Sequence, residues 1–358
     1  MKKIISLILS MSMALSLGAG LLSGCQETKR DFKNVILVIG DGMGENHLLN
    51  AIDYYDLEIP SFMEDQVGYI NTNSLNGTTD SAAGATALAT GVKVNNSELA
   101  WHDDKNLEQI TTIAQKAKMK TGIVTTDVLS GATPSGFSAH SETRNFTNKI
   151  MSTQAESGVD LLVGRWTSDY TNRSDMFSDK GYDIAVSPEQ LEEKKDADKL
   201  LGLLGNIDSE YMSGGELDYQ LKEMASFAID YLENDNGFFL MIEGAYIDKY
   251  SHNNDLDRAL AETRSLIDTV EFLYEYVADG ETALFITADH ETGALARANS
   301  KEDITNLLYN STDHSSTPVP VFVKNYVWKP ENFGYAVGVT PENTMIFEAC
   351  KAIIKGSK

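Results

Sequence analysis

The run Asn34-Val35-Ile36-Leu37-Val38-Ile39 constrains this chain more than any other stretch. It is apolar and β-branched almost throughout, and Gly40-Asp41-Gly42-Met43-Gly44 ends it. An alternating strand could turn one face to water, whereas a continuous apolar run has to be covered on both faces. That is the environment of a parallel sheet lying between helices. Similar runs recur at 121–126, 160–164, 237–243, 283–290 and 319–323. Helical spacing fills the intervals at 106–119, 219–233, 254–277 and 343–354. Leu221, Met224, Phe227, Ala228 and Tyr231 share one face of the second of these. Strands alternating with helices predict an α/β fold, a three-layer α/β/α sandwich around a mainly parallel sheet. Residues 34–358 read as one domain, and the polar, irregular segment 165–215 reads as an insertion or a cap over the sheet, with a charged helix at 188–198.

The first residues have a different logic. Lys2-Lys3 precedes the apolar run 4–22, and Leu22-Ser23-Gly24-Cys25 follows. A short charged region, an apolar region and small residues before a cysteine resemble a bacterial lipoprotein signal. That reading makes 1–24 a cleaved leader, Cys25 the lipid-bearing residue, and 25–33 a tether to the membrane. An uncleaved membrane helix is the alternative, since the run is nearly long enough to span. Both place the folded part outside the cytoplasm. The only other cysteine is Cys350, so a lipidated Cys25 leaves no disulfide framework and no cysteine for a metal site.

A formal net charge of −24 argues against nucleic acid as a partner, because phosphate backbones are bound by basic stripes. A small anion could still bind where metal ions reverse the local charge. Three of the strand-type runs lead into acidic residues, Asp41, Glu243 and Asp289. In open α/β sheets ligands gather at these carboxyl ends. A carboxylate beside an apolar strand is costly unless paired or bound to metal. His290 follows Asp289, Asp248 and His252 stand four apart on one face if that segment is helical, and His314 precedes the last strand. At 78–91 a polar segment gives way to an alanine-rich helix ending at Gly91, with Asp80 or Ser81 as its cap. Ser81 can be an ordinary cap, or a hydroxyl placed in the positive field of a helix N-terminus.

Taken together these stretches resemble the alkaline phosphatases over nearly the whole length after the tether. The matching segments are 34–44, Thr79-Asp80-Ser81-Ala82-Ala83-Gly84-Ala85-Thr86, 121–126, Ala132-Thr133-Pro134 with Ala139-His140, Glu243 to Lys249 with His252, Thr287-Ala288-Asp289-His290, and the His314 segment. They occur in the family's order. The resemblance implies phosphate monoester hydrolysis through a phosphoserine, at two Zn2+ and one Mg2+. Asp248, His252 and His314 would hold one zinc, and Asp41, Asp289 and His290 the other. Asp41 would bridge toward the magnesium, whose remaining protein ligands would be Thr133 and Glu243. Ser81 would be the nucleophile, Arg144 would grip the phosphate, and Lys249 would reach phosphate or a water at the metals. A homodimer is compatible with the resemblance, with reduced contacts because the chain is shorter than the best-known members.

One departure stands out. Gly131 occupies a position where many relatives carry Asp or His, which weakens or alters the expected magnesium shell; Asp127, four residues earlier, is the nearest acidic substitute. His47, His102 and His140 match no ligand position. The competing readings are a phosphodiesterase or sulfatase on the same scaffold, and a lipoprotein that only binds metal or phosphate. The Asp-Ser-Ala-Ala context argues against the first, and the presence of both Ser81 and Arg144 against the second.

Overall fold

The structure, a computed structural model, describes residues 32–205 and 220–356. The leader, Cys25 with most of the tether, and residues 206–215 of the expected cap lie outside the described residues.

The founding run becomes β1 (Asn34–Gly40), with every residue buried. Each such aliphatic side chain contributes about 1.5–3 kcal/mol on removal from water. Among the described residues eight further strands join it: β2 (Gln66–Ile70), β3 (Lys120–Val128), β4 (Leu161–Arg165), β5 (Asp183–Ala185), β6 (Leu200–Leu204), β7 (Phe238–Gly244), β8 (Thr282–Thr287) and β9 (Val319–Lys324). Their order across the sheet is β2-β9-β8-β1-β7-β3-β4-β6-β5. From β8 to β5 neighbours run parallel, while β9 and β2 are antiparallel additions at one edge. Ile39 pairs with both Glu243 and Thr287, and Thr125 pairs with Glu243. The carboxyl ends of four central strands therefore finish at one level.

Helices cover both faces, as expected for a three-layer α/β/α sandwich. One layer packs Glu45–Tyr54, Leu221–Leu232, Tyr246–Ser251 and Leu256–Tyr276 together. The other packs Ser81–Thr90, Ile110–Lys116, Ala132–Ser138 and Thr344–Lys355. Cys350, in the last of these, is buried and unpaired, and burial pushes its thiol pKa up.

The segment at 165–215 departs from the expected cap. Its described part places β5 and β6 in the sheet itself, so that it widens one edge instead of covering a face. The physical reason is the run Leu200-Leu201-Gly202-Leu203-Leu204, buried throughout, which satisfies its backbone against β4. The helix expected over 188–198 is shorter, Pro188–Glu193, and opens on a Ser187 cap that accepts from the Gln190 amide.

His47 shows how strictly this interior excludes charge. It is fully buried, its Nδ1 accepts from the Gly44 amide at 3.1 Å, and its Nε2 lies 3.0 Å from Ser251 Oγ. Burial lowers its pKa to about 4. The folded chain therefore resists a proton that the unfolded chain accepts near pH 6.5. The neutral ring's stability contribution is complete above pH 6.5 and lost as pH falls toward 4, by about 2 kcal/mol at pH 5. Denaturant midpoints at pH 7.5 and 5 should show that loss in the native chain and a smaller one in His47→Gln; parallel curves would refute the assignment.

Candidate active site

The first turns of three helices, Ser81–Thr90, Ala132–Ser138 and Tyr246–Ser251, carry candidate residues beside the ends of β1, β7, β3 and β8. Ser81 opens its helix, and Asp80 is the cap, its Oδ1 accepting from the Ala83 amide at 3.0 Å. Capping and chemistry are thus divided between neighbours. Ser81 is 3% exposed, with its Oγ 3.2 Å from His290 Nε2. The helix can approach this closely because a side chain at Gly84 would lie 2.9 Å from the Asp289 carbonyl oxygen.

The first group of candidate ligands is Asp248, His252 and His314. Asp248 sits in the Tyr246–Ser251 helix and His252 follows one turn later, so both face the same way. His252 Nε2 and His314 Nε2 lie 3.3 and 3.4 Å from Asp248 Oδ1, and 3.0 Å from each other. His252 Nδ1 is 2.5 Å from the Thr312 carbonyl oxygen, and His314 Nδ1 is 2.7 Å from that of Thr79. A carbonyl only accepts, so each Nδ1 carries a proton, and each Nε2, once it gives up the proton it shares with Asp248, turns a lone pair toward the other. Two lone pairs at that separation repel unless a cation lies against them. Burial raises the Asp248 pKa, but hydrogen bonds with His252 and His314 prevail and hold it well below the usual range. The same contact raises His252 to about 9.

The second group the structure gathers is Asp41, Asp248 and His290, with Asp289, expected from the sequence, against the same histidine nitrogen. Asp289 Oδ1 accepts from the Gly42 and His290 amides at 3.2 and 3.0 Å, which turns Oδ2 inward, 3.3 Å from His290 Nε2. Asp41 Oδ1 lies 3.4 Å from the same nitrogen. Neither Asp41 Oδ1 nor Asp289 Oδ2 has a hydrogen-bond partner among the described residues. Thr292 orients the ring: its hydroxyl donates to Asp248 Oδ1 at 2.5 Å and accepts from His290 Nδ1 at 3.2 Å. His290 Nε2 is therefore the free lone pair, aimed at Ser81. Burial, then the charges of Asp289 and Asp248, push the Asp41 pKa well up, and burial with Asp248 lifts Asp289 to about 7. Carboxylates crowded into a dry space raise one another, which is the condition a multivalent cation relieves.

The third group joins Thr133 and Glu243. Glu243 is 1% exposed and is raised to about 8 by burial and then by the Asp127 charge. The Thr125 hydroxyl donates to it across the β3–β7 pairing. Thr133, equally buried, lies close enough to lower the Glu243 pKa, yet its Oγ1 makes no well-formed hydrogen bond among the described residues. Oxygen donors of this kind suit a hard cation, and the two mixed Asp/His groups suit zinc.

Arg144 and Lys249 stand at the margin. Arg144 Nη1 lies 3.3 Å from Asp80 Oδ2, and its side chain is 35% exposed, so the guanidinium is anchored yet open to an arriving anion. Asp80 is itself fixed by the Ser97 amide, at 3.0 Å from Oδ2. Lys249 pairs with Asp127 and lies over the Tyr246 ring. The structure thus sets Asp41, Ser81, Asp248, His252, Asp289, His290 and His314 within one cluster of contacts, with Thr133 beside Glu243, Arg144 on Asp80 and Lys249 on Asp127. It adds Thr292, Thr125 and the Asp80–Arg144 contact, of which only Thr292, two residues past His290, carried a local signal.

Comparison with known proteins agrees with this geometry. The sequence model of the alkaline phosphatase family matches residues 32–165 and 152–349. Alkaline phosphatase 4 of Bacillus subtilis is 32% identical over 299 residues, 76% of this chain and 64% of that protein. Alkaline phosphatase 3 of the same organism is 31% identical over 325 residues, 82% of this chain and 70% of its own length. The chain thus spans about two thirds of these relatives. The alkaline phosphatase of the Antarctic bacterium TAB5 superposes with a TM-score of 0.79 at 29% identity, over 92% of this chain and 99% of that one. A mutant of the same enzyme, solved with magnesium in its M3 site, aligns equally well. By sequence and by fold, this chain belongs to the alkaline phosphatase family.

Proposed function

We propose that this chain is a metal-dependent phosphomonoesterase that acts through a phosphoserine at Ser81, on phosphate esters outside the cytoplasm, held to the membrane by lipid on Cys25. One observation carries the chemistry: the Ser81 hydroxyl lies 3.2 Å from His290 Nε2, and the same nitrogen lies 3.4 and 3.3 Å from Asp41 and Asp289 carboxylate oxygens that have no hydrogen-bond partner among the described residues. Asp248, His252 and His314 would hold one zinc ion, Asp41, Asp289 and His290 a second, and Thr133 and Glu243, with Asp41, one magnesium ion. Bound there, the ions would supply the positive charge that stabilises the attacking and leaving oxygens of an in-line displacement. Magnesium in the M3 site of a mutant of the TAB5 relative supports the third site.

The chain's own residues account for the rest. Ser81 Oγ gives up its proton to solvent and attacks phosphorus, the ester P–O bond breaks, and the alcohol leaves with a proton from solvent. Water then attacks the phosphoserine, the Oγ–P bond breaks, and inorganic phosphate departs. Two inversions give retention at phosphorus. The helix N-terminus favours the phosphoserine anion throughout. Arg144, anchored by Asp80, offers two parallel N–H donors to the phosphoryl oxygens. A second reading draws on the 3.2 Å Ser81–His290 contact, which has the layout of a serine activated by a histidine base.

The purified mature chain should hydrolyse 4-nitrophenyl phosphate with a kcat/KM at least about a hundred-fold above bis(4-nitrophenyl) phosphate or 4-nitrophenyl sulfate, since a site built for one anion discriminates by the groups it leaves unpaired. Faster cleavage of the diester or the sulfate would replace the monoesterase reading.

A further inference from the structure

We propose that Asp127 supplies the acidic group that position 131 lacks in the third cation site, and that residue 131 is glycine because the Asp127 carboxylate occupies the space of its side chain. The proposal rests on the metal-dependent reading above. Its origin is a break in the sheet. The register between β3 and β4 shifts between Val124 and Val128, and such an irregularity re-aims the side chains it contains. Asp127 lies inside the shifted stretch. Its amide donates to Thr125 Oγ1 at 2.8 Å, and Thr125 in turn donates to Glu243, so the strand end and the buried glutamate are tied together.

The carboxylate is placed by two further contacts. Oδ1 pairs with Lys249 Nζ, and Oδ2 faces Gly131, where a Cβ would stand 2.5 Å from it and 2.9 Å from the Val128 carbonyl oxygen. Gly131 has φ −58° and ψ 162°, angles open to any residue, so its backbone does not require glycine. Space does. Two residues on, Thr133 presents the buried Oγ1 that has no hydrogen-bond partner among the described residues. The arrangement therefore has a filled position, an unfilled one four residues away, and, two residues beyond that, a buried oxygen with no hydrogen-bond partner among the described residues. Magnesium keeps much of its water shell and takes few carboxylates, so Asp127 can serve it through a retained water as well as directly. Lys249, held on the other oxygen, fixes the orientation.

The test uses zinc-loaded, full-length protein titrated with Mg2+, reading bound magnesium by elemental analysis and the Mg2+-induced rise in Tm. Asp127→Ala should weaken magnesium binding about ten-fold or more and remove most of the Tm rise, as loss of a supporting carboxylate does. Asp127→Asn, which keeps the shape, should do the same if the alanine variant folds poorly. Unaltered binding in both single variants overturns the proposal alone. A native chain that takes up no magnesium overturns the third-site reading together with it.

Discussion

Ser81→Ala is expected to lower kcat for a phosphate monoester at least about a thousand-fold, some 4 kcal/mol of transition-state stabilisation, because the group that forms the covalent intermediate is gone. The fold should tolerate the change. Asp80, not Ser81, caps the helix, and alanine is the better helix former at that position. The Oγ lost is a contact of His290 alone, so the candidate metal ligands keep their other restraints. Stability and metal content should therefore match the native chain while turnover does not. Mass analysis of acid-quenched enzyme should find phosphate on Ser81 in the native chain and none in the variant. A variant that retained a tenth of the native kcat would mean that water attacks the substrate directly, and Ser81 would revert to a polar residue near the site.

What the sequence made readable follows from which interactions are local. The run 34–39 had to be a doubly covered strand, and it is. The 254–277 pattern had to be a long amphipathic helix, and Leu256–Tyr276 matches it within two residues at its start. Strand direction is not local, so nothing in the 319–323 run distinguishes β9, antiparallel, from the parallel strands beside it. β2 was hidden for another reason: it is an edge strand with alternate residues half exposed, and a glycine interrupts its five residues. β6 was overlooked because charged residues surround it, although its five apolar residues are as continuous as those of β1. At the site, the candidate ligands were legible through the order of motifs, but the restraints on them were not. Asp127 and Lys249 are 122 residues apart, and the carbonyls of Thr79 and Thr312 that fix two imidazoles leave no trace in side-chain chemistry. The empty place at Gly131 was visible as a departure; that a neighbouring carboxylate fills it depends on a register shift no periodicity encodes.

Chelation of the purified chain is expected to abolish monoester hydrolysis, again by about a thousand-fold or more, with recovery on adding zinc and magnesium together. The argument begins with charge. Asp41, Asp248, Glu243 and Asp289 are all at least nine-tenths buried, and at Asp41 the lowering effect of Arg144 is smaller than the raising effects of burial and of the other three carboxylates. A substrate that brings further negative charge cannot be drawn into such a space, nor its transition state stabilised there, unless cations invert the field. Metal removal should cost stability as well as rate, because a ligand present at a thousand times its Kd stabilises the folded state by about 4 kcal/mol. Reloading with zinc should release protons, since His252, lifted to about 9 by Asp248, has to surrender its extra proton to bind. These three readouts separate the two readings of the Ser81–His290 contact. If His290 is the base for Ser81, the chelated enzyme keeps its turnover and follows a single imidazole titration. His290 argues against that outcome by itself: burial and the charge of His314 hold its pKa well below 6.5, too low for it to take the serine proton efficiently at neutral or alkaline pH. With its Nδ1–H engaged by Thr292 and its Nε2 turned to two carboxylate oxygens that have no hydrogen-bond partner among the described residues, the ring is placed as a ligand.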